Sequence, residues 1–524
     1  MTTPCSRLLP ALLALALTQP AADAAERRAT ASEAAKLEAA GAAYFGRPAR
    51  GEKPVLSVRP DGDHYRGTLD LGLAWTRALG ITHPPAAAKE SGLKFGGATF
   101  TLTPLADGRW KTVIGSLPSL RYTDANETYE LLHDGVALEA ITEPATGTLL
   151  SIGGRIERQT EVDERSDPKR STHYRLKRDA TGITFSGSTL PTFLPGVVDL
   201  DMPTDQATQS VSLNLSWGES PRMPPLSLNL TAGRTTGALR VHGLRLVAVL
   251  DALRRVAKSG ANGGRAEKRG AEVPTTAEAL IDALPLFDDA ALTLTHSDAS
   301  IVTGVATVLA KTFEFEFGGT GFVHRAALHL RVTAREMKIA SILIPAWVVP
   351  LLPSEATVEA RLSGFDFASL ATYSLGHTGP AGSATAADDK RMRELYLPKG
   401  TIEIDYSGTR FAGDGWSLAM DARIDVGDTR MKGEVTLRAR GLDGVVERVR
   451  TASPTDPRAA TFAEGLERFI ARAEKVGDEW IVRIPLDQPM KSSAGGAASS
   501  PAAPAASPTA PAVTTAPAAP PAKP

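Results

Sequence analysis

The 524-residue chain has a single cysteine, Cys5, among its first residues. Beyond it there is no disulfide, no thiolate nucleophile, no zinc-thiolate site and no dithiol redox centre. Aromatic residues make up only 6% of the chain, and 58 Lys and Arg offset 59 Asp and Glu to a net charge of -1. Without a basic excess there is no counterion-release term, so nucleic acid is not an expected partner. Long apolar runs are missing after residue 17. The best later stretch, Ile342 to Leu352, is too short to span a bilayer and is broken by Pro345 and Pro350. The Gly-x-Ser-x-Gly elbow, the Gly-x-x-x-x-Gly-Lys phosphate loop and the His-Glu-x-x-His segment are also absent. The sequence therefore assigns no catalytic residue, no metal ligand and no cofactor.

What is present begins with an export signal. Arg7 precedes an apolar stretch from Leu8 to Leu17, and Ala22-Asp23-Ala24 supplies a small-x-small cleavage pattern. Residues 1–24 read as a signal peptide, and the mature chain is expected in the periplasm without a transmembrane anchor after signal removal. Cys5 lies on the wrong side of the apolar stretch for acylation. At the other end, residues 489–524 collapse to Ala, Pro, Ser, Thr and Gly, a composition that buries too little apolar surface to fold and reads as a disordered tail.

Between these ends, period-two alternation dominates. Val211, Leu213, Leu215 and Trp217 alternate with Ser212, Asn214 and Ser216, and Leu226, Leu228 and Leu230 alternate with Ser227 and Asn229. Phe313, Phe315 and Phe317 face away from Glu314 and Glu316. The same holds for Leu328, Leu330 and Val332 against His329 and Arg331, and for Ile402, Ile404 and Tyr406 against Glu403 and Asp405. Such strands belong to antiparallel sheets wetted on one side. The expected fold class is α+β, predominantly antiparallel β, with a curved or groove-like sheet.

A short junction recurs three times, as Arg240-Val241-His242-Gly243-Leu244, Arg361-Leu362-Ser363-Gly364-Phe365 and Arg438-Ala439-Arg440-Gly441-Leu442. Each leads to helical spacing: Leu246 to Val256, Phe365 to Tyr373, and Leu442 to Val449. A loop, a second helix and a strand follow, giving a repeated strand-Gly-helix-loop-helix-strand module. The second helices are expected at Ala277 to Leu284, around Asp388 to Leu395, and through Phe462, Leu466, Phe469, Ile470 and Ala473. The glycines suit positive φ, and Asp366 and Asp443 are placed to cap the helices, with Arg245 in that position in the first copy. Ser32 is placed to cap an earlier helix ending at Phe45. Asp199, Asp201 and Asp205 lack the glycine and terminal glutamate of a calcium loop and read as a polar strand edge. His324 and His329, an odd number of residues apart, fall on opposite sides of a strand and do not share a metal. The doubly charged stretch Arg155 to Arg178 reads as a solvated hairpin tip.

The strand, glycine, helix pair and strand of the second half resemble the AsmA-like superfamily of bacterial envelope proteins, in particular its uncharacterised soluble periplasmic branch. The first half is similar at Tyr44-Phe45-Gly46, at Tyr65-Arg66-Gly67-Thr68-Leu69-Asp70, and at Phe100-Thr101-Leu102-Thr103-Pro104 before Asp107-Gly108-Arg109-Trp110. Ile344-Pro345-Ala346-Trp347 to Pro353, leading into the second junction strand, is similar as well. The resemblance implies a curved, groove-like sheet whose interior faces lipid acyl chains, in proteins linked to phospholipid traffic and outer-membrane maintenance. It carries over no active site. The chain is shorter than the large members of the superfamily and departs from them in keeping no anchor. The implied division is a signal peptide (1–24), an N-terminal β-rich half (25–235), a C-terminal AsmA-like repeat region with three modules (236–488) and the tail (489–524). The expected role is a non-enzymatic periplasmic protein that binds or shields phospholipid or another envelope lipid, or supports outer-membrane maintenance with envelope protein partners. Two other roles stand beside it: an envelope glycan or lipid hydrolase with unrecognised carboxylates, and an interaction scaffold using the tail.

Overall fold

The computed structural model describes residues 28–45, 48, 53–70, 72–73, 94–123, 126–143, 148–167, 172–192, 194, 197–217, 226–245, 248, 284–321, 323–376, 386–427 and 430–489. The expected signal peptide, nearly all of the first module's helices and the tail beyond Pro489 lie outside them. After helix α1 (Ala31–Phe45), short strands come first: β1 (Leu56–Asp61), β2 (His64–Asp70), β3 (Lys94–Phe95), β4 (Gly97–Pro104), β5 (Trp110–Ser116) and β6 (Leu120–Thr123). Longer ones follow: β7 (Glu127–Glu143), β8 (Thr148–Asp167), β9 (Thr172–Pro191), β10 (Val198–Gln206), β11 (Thr208–Trp217), β12 (Leu226–Ala232) and β13 (Arg234–Leu244). Next come β14 (Asp289–Thr303), β15 (Ala306–Thr320), β16 (Ala326–Arg335), β17 (Lys338–Ser341) and β18 (Glu355–Phe365). The last part holds α2 (Phe367–Gly376), α3 (Ala386–Tyr396), β19 (Thr401–Asp405), β20 (Thr409–Gly413), β21 (Trp416–Gly427) and β22 (Arg430–Arg440). It closes with α4 (Leu442–Ala452), α5 (Pro457–Arg472), β23 (Glu474–Val476) and β24 (Glu479–Pro489).

Among the described residues all 24 strands join one sheet. Its pairings are antiparallel and follow chain order, as a meander from β1 and β2 through β4, β5, β7, β8 and β9. Beyond β9, several tiers are shared by two collinear strands: β10 with β11, β13 with β12, and β16 with β17. The meander then runs through β18, β21 and β22 to β24. At about 4.8 Å between neighbouring strands, the sheet measures on the order of 80 Å across its tiers. It is continuous across residue 235, since β13 pairs with both β10 and β14.

An open meander has two free edges, which need cover. Helix α1 covers the first. Its Glu38 accepts a hydrogen bond from the Val58 N–H of β1 at 2.7 Å, and Ala34 and Leu37 are buried in the core beside β1. The cap of α1 is Thr30, whose Oγ1 accepts from the Glu33 N–H at 3.2 Å, so Ser32 is already inside the helix. Toward the other edge, α4 and α5 pack Val445, Val449, Ala459 and Ala463 together with Trp347 and Leu351.

The three junction glycines take left-handed backbone angles, with φ of 64° at Gly243, 97° at Gly364 and 70° at Gly441. At Gly441 a Cβ would collide with the Gly415 carbonyl, so only glycine fits. The following residues behave differently. Asp366 accepts from the Ser369 N–H at 2.7 Å and caps α2, whereas Asp443 lies inside the first turn of α4 and makes no cap hydrogen bond. Arg245 instead bonds the Pro285 carbonyl at 2.6 Å and pairs with Asp288 at 3.0 Å.

A seam crosses the sheet from β7 to the gap between β16 and β17. It passes through Gly135, Glu157, Gly182, Ala207, Gly233, Asp298, Lys311 and Glu336, positions aligned by the strand register. Gly135, Gly182, Asp298 and Glu336 hold φ between 51° and 61°. On each strand the inward parity changes at this line. In β7 Leu131 is buried before it and Leu138 and Ala140 after it; in β15 the step lies between Ala310 and Phe313. Two consecutive residues therefore face outward, as with the exposed pairs Asp134-Gly135, Glu157-Arg158, Ala207-Thr208 and Arg335-Glu336. A one-residue slip of this kind normally moves a strand's apolar set to the wrong face. Here the strands step at the same level, and the hydrophobic pattern slips with them except on β8, whose inward positions beyond the seam are Gln159, Glu161, Asp163 and Arg165. One face stays apolar on both sides of the seam, as the packing of Ala180 with Ile183 in one core cluster shows.

Candidate functional site

The face on which the seam keeps its apolar residues is the natural place to look for function. Register places all five alternating segments of the sequence on it: Val211 opposite Leu230, Phe317 opposite Leu330, Val332 opposite Val358, and Leu362 opposite Ile404. The opposite face is charged and cross-paired. Glu359 contacts Arg361 at 3.0 Å and His329 at 3.7 Å, and Glu314 contacts Arg335 at 3.7 Å.

Cover over the apolar face is uneven along the sheet. Over β1 to β5 it is complete: Trp110 is 0% exposed, with the Tyr65 ring 5.9 Å away, and Leu69 and Phe100 are buried beside it. Over β15 to β18 it is partial, with Phe317 45% and Val358 38% exposed. Helices α2 and α3 lie at the strand ends of this region, where Phe365, Phe367 and Tyr396 stack at 5.1 to 6.0 Å.

Between the covered and the open part, beside the seam, the inward positions turn polar. Gln209 (8% exposed), Thr235 (1%) and His296 (6%) form a chain in which Thr235 donates to Gln209 Oε1 at 3.3 Å and lies 2.8 Å from His296 Nδ1. With the Thr235 proton given to Gln209, the imidazole donates through Nδ1 and leaves Nε2 free. Burial holds the His296 pKa below its ordinary value, and the Arg178 charge adds to this. Arg178 itself, on β9 and of inward parity, makes no hydrogen bond or ion pair among the described residues, and its Nε is buried without a partner. The Gln206 Oε1 atom is buried and unpartnered as well.

Farther along the β8–β9 hairpin, Glu161 and Asp163 are buried, which corrects the expectation that Arg155 to Arg178 is solvated throughout. Alternate described residues of that stretch face inward. Asp163 is held by Arg165 through two hydrogen bonds, at 2.9 and 3.0 Å, and Glu161 accepts from the Tyr129 hydroxyl at 3.1 Å.

The residues singled out in the sequence are not brought together. Asp199 accepts from the Gly243 N–H at 2.9 Å, Asp201 lies 3.5 Å from Arg240, and Asp205 takes the Arg234 Nε–H at 3.0 Å. His324 pairs with Asp366 at 3.0 Å, while His329 sits between Glu316 and Glu359. Burial opposes ionisation of Asp366, but hydrogen bonds from the Ser369 N–H and from His324 outweigh it and hold the carboxyl below its ordinary value. Among the described residues no three His, Cys, Asp or Glu side chains cluster as metal ligands, and no helix is long and apolar enough to cross a membrane. Sequence reasoning missed the inward polar group, although Gln209 shares its strand parity with Val211 and Leu213. Compared with known proteins, the chain matches no family model, no curated protein and no solved structure.

Proposed function

We propose that the chain is a non-enzymatic envelope protein of AsmA-like build, exported to the periplasm, whose apolar sheet face forms a groove for lipid acyl chains. The observation that carries the reading is the single apolar face, kept apolar across the seam and left partly open over β15 to β18. A filled core would bury Phe317 and Val358; an acyl chain laid against them removes their surface from water. Each methylene transferred contributes about 0.8 kcal/mol, so even one chain offers a substantial driving force. The seam supports a groove rather than a flat sheet, because left-handed residues aligned across the strands re-aim both halves of each strand about one line. The left-handed glycines at the three junctions support a repeated module, and the apolar N-terminal stretch with its small-x-small site supports export. Phospholipid is the expected ligand class.

Organic extraction of natively purified protein, followed by mass spectrometry, tests this. Phospholipid is expected in the extract, and less of it from a Phe315→Asp variant. Protein that carries no lipid and takes none up from vesicles would overturn the reading.

A further inference from the structure

The inward polar group beside the seam is costly unless something answers it. Apolar parity is held on both sides of β9, β11, β13 and β14, yet Arg178, Gln206, Gln209, Thr235 and His296 all occupy inward positions there. Thr235, Gln209 and His296 satisfy one another in a chain, which fixes their orientation. Arg178 and Gln206 are not satisfied: the Arg178 Nε–H has no acceptor and Gln206 Oε1 has no donor. A buried polar atom without a partner costs about 1–3 kcal/mol, more when charged, so these two, at inward positions on either side of the seam, call for a ligand that supplies both an acceptor and a donor. Glu161, directly across from Arg178 in the register, is a built-in anion on the same face. It is turned to Tyr129 instead and makes no ion pair with Arg178.

The arrangement is asymmetric in a way that selects a ligand. One side presents a guanidinium, whose planar fork suits a phosphate or carboxylate oxygen pair. The other side presents an acceptor, Gln206 Oε1, and the free His296 Nε2, both suited to a hydroxyl. The group lies beside the partly open apolar face, so a molecule using both must be an amphiphile. Building on the lipid-binding reading, we propose that Arg178, with Gln206 and His296, holds the anionic, hydroxyl-bearing headgroup of a glycerophospholipid whose acyl chains lie on the adjoining apolar face. The lipid is then bound in one direction, headgroup toward β9 and chains toward β15 to β18.

Binding of dioleoylphosphatidylglycerol and of dioleoylglycerol, which lacks the phosphate, separates the two readings. The wild-type chain is expected to prefer the phospholipid by about tenfold, the scale of one charge-assisted hydrogen bond, and Arg178→Gln is expected to remove the preference while leaving dioleoylglycerol binding unchanged. Equal binding of the two lipids by the wild type, or equal weakening of both by Arg178→Gln, overturns the headgroup site and leaves the apolar groove standing. Binding of neither lipid overturns both. Thermal melting shows whether Arg178→Gln folds. If it does not, Arg178→Lys, which keeps the charge, is expected to retain part of the preference, and its full loss of discrimination with no loss of charge would count against the site.

Discussion

Trp110 and Phe317 lie on the same face of one sheet, and water reaches them very differently. On the edge side of Trp110, β1, β2, β4 and β5 are six to eight residues long, and α1 closes the edge with Ala34 and Leu37. Around Phe317 the strands run to 15 residues, and the neighbouring helices sit at their ends. Alternation is equally strict in both regions. Period two thus specifies which face is apolar, while cover depends on where the helices dock.

Mutating the two aromatic residues gives the largest expected contrast. Trp110→Ala leaves a cavity in a closed core and is expected to lower stability by about 3–5 kcal/mol, whereas Phe317→Ala, with nearly half its surface already wet, is expected to cost about 1 kcal/mol or less. Urea denaturation measures both. A cost at Phe317 that matches the one at Trp110 would mean that the open region is closed in solution, and the contrast would fail.

The seam separates the two regions in a second way. Toward the closed end its left-handed positions are Gly135 and Gly182; toward the open middle they are Asp298 and Glu336, residues that favour this conformation far less. At Gly182 a new Cβ would also stand 2.8 Å from the Ala207 Cβ. Gly182→Val is therefore expected to cost about 2 kcal/mol or more, and Glu336→Gly to leave stability unchanged or raise it by up to about 1 kcal/mol, despite losing a surface pair with Lys311. A loss at Gly182 with none at Glu336 would sharpen the comparison: strain is avoided where the core is packed and tolerated where it is not. Insensitivity at Gly182 would break it.

The apolar faces were legible because each alternating segment, such as Val211 to Trp217 or Phe313 to Phe317, lies wholly on one side of the seam. The seam itself was not. It shows in sequence only as a one-residue slip in period, and a slip reads as the end of a strand unless neighbouring strands are known to slip at the same level. Strand β15 illustrates this: Val308 and Ala310 point inward with one parity, Phe313 to Phe317 with the other, and only the second set looks like a strand. The inward polar group escaped for a related reason. Charge density over Arg155 to Arg178 suggested solvent, yet parity with Leu176 puts Arg178 on the apolar face, and that parity has meaning only once register is known. The junction glycines were legible because positive φ is a local requirement. Asp443 was misjudged as a cap because capping depends on a single backbone step, which places Asp366 before its helix and Asp443 inside it.

The smallest expected effect concerns pH and falls at the border between the two regions. Burial, with Arg178 nearby, holds His296 below its ordinary pKa of 6.5, so the folded chain keeps the imidazole neutral where the unfolded chain has begun to bind a proton. The unfolded state then binds more protons as pH falls through 6.5, and folding stability drops until the folded-state pKa is passed, below which the loss levels off. His133, facing inward on β7, is lowered by burial too, with Asp134 opposing, and contributes in the same direction. Urea midpoints taken from pH 7.5 to 5 are expected to fall for the wild type and to fall less for His296→Gln, which can still bond Thr235 but takes up no proton. If both chains lose stability in parallel, His296 is hydrated in the folded state. The floor of the sheet beside the seam would then belong to the open region, and the closed one would end at β9.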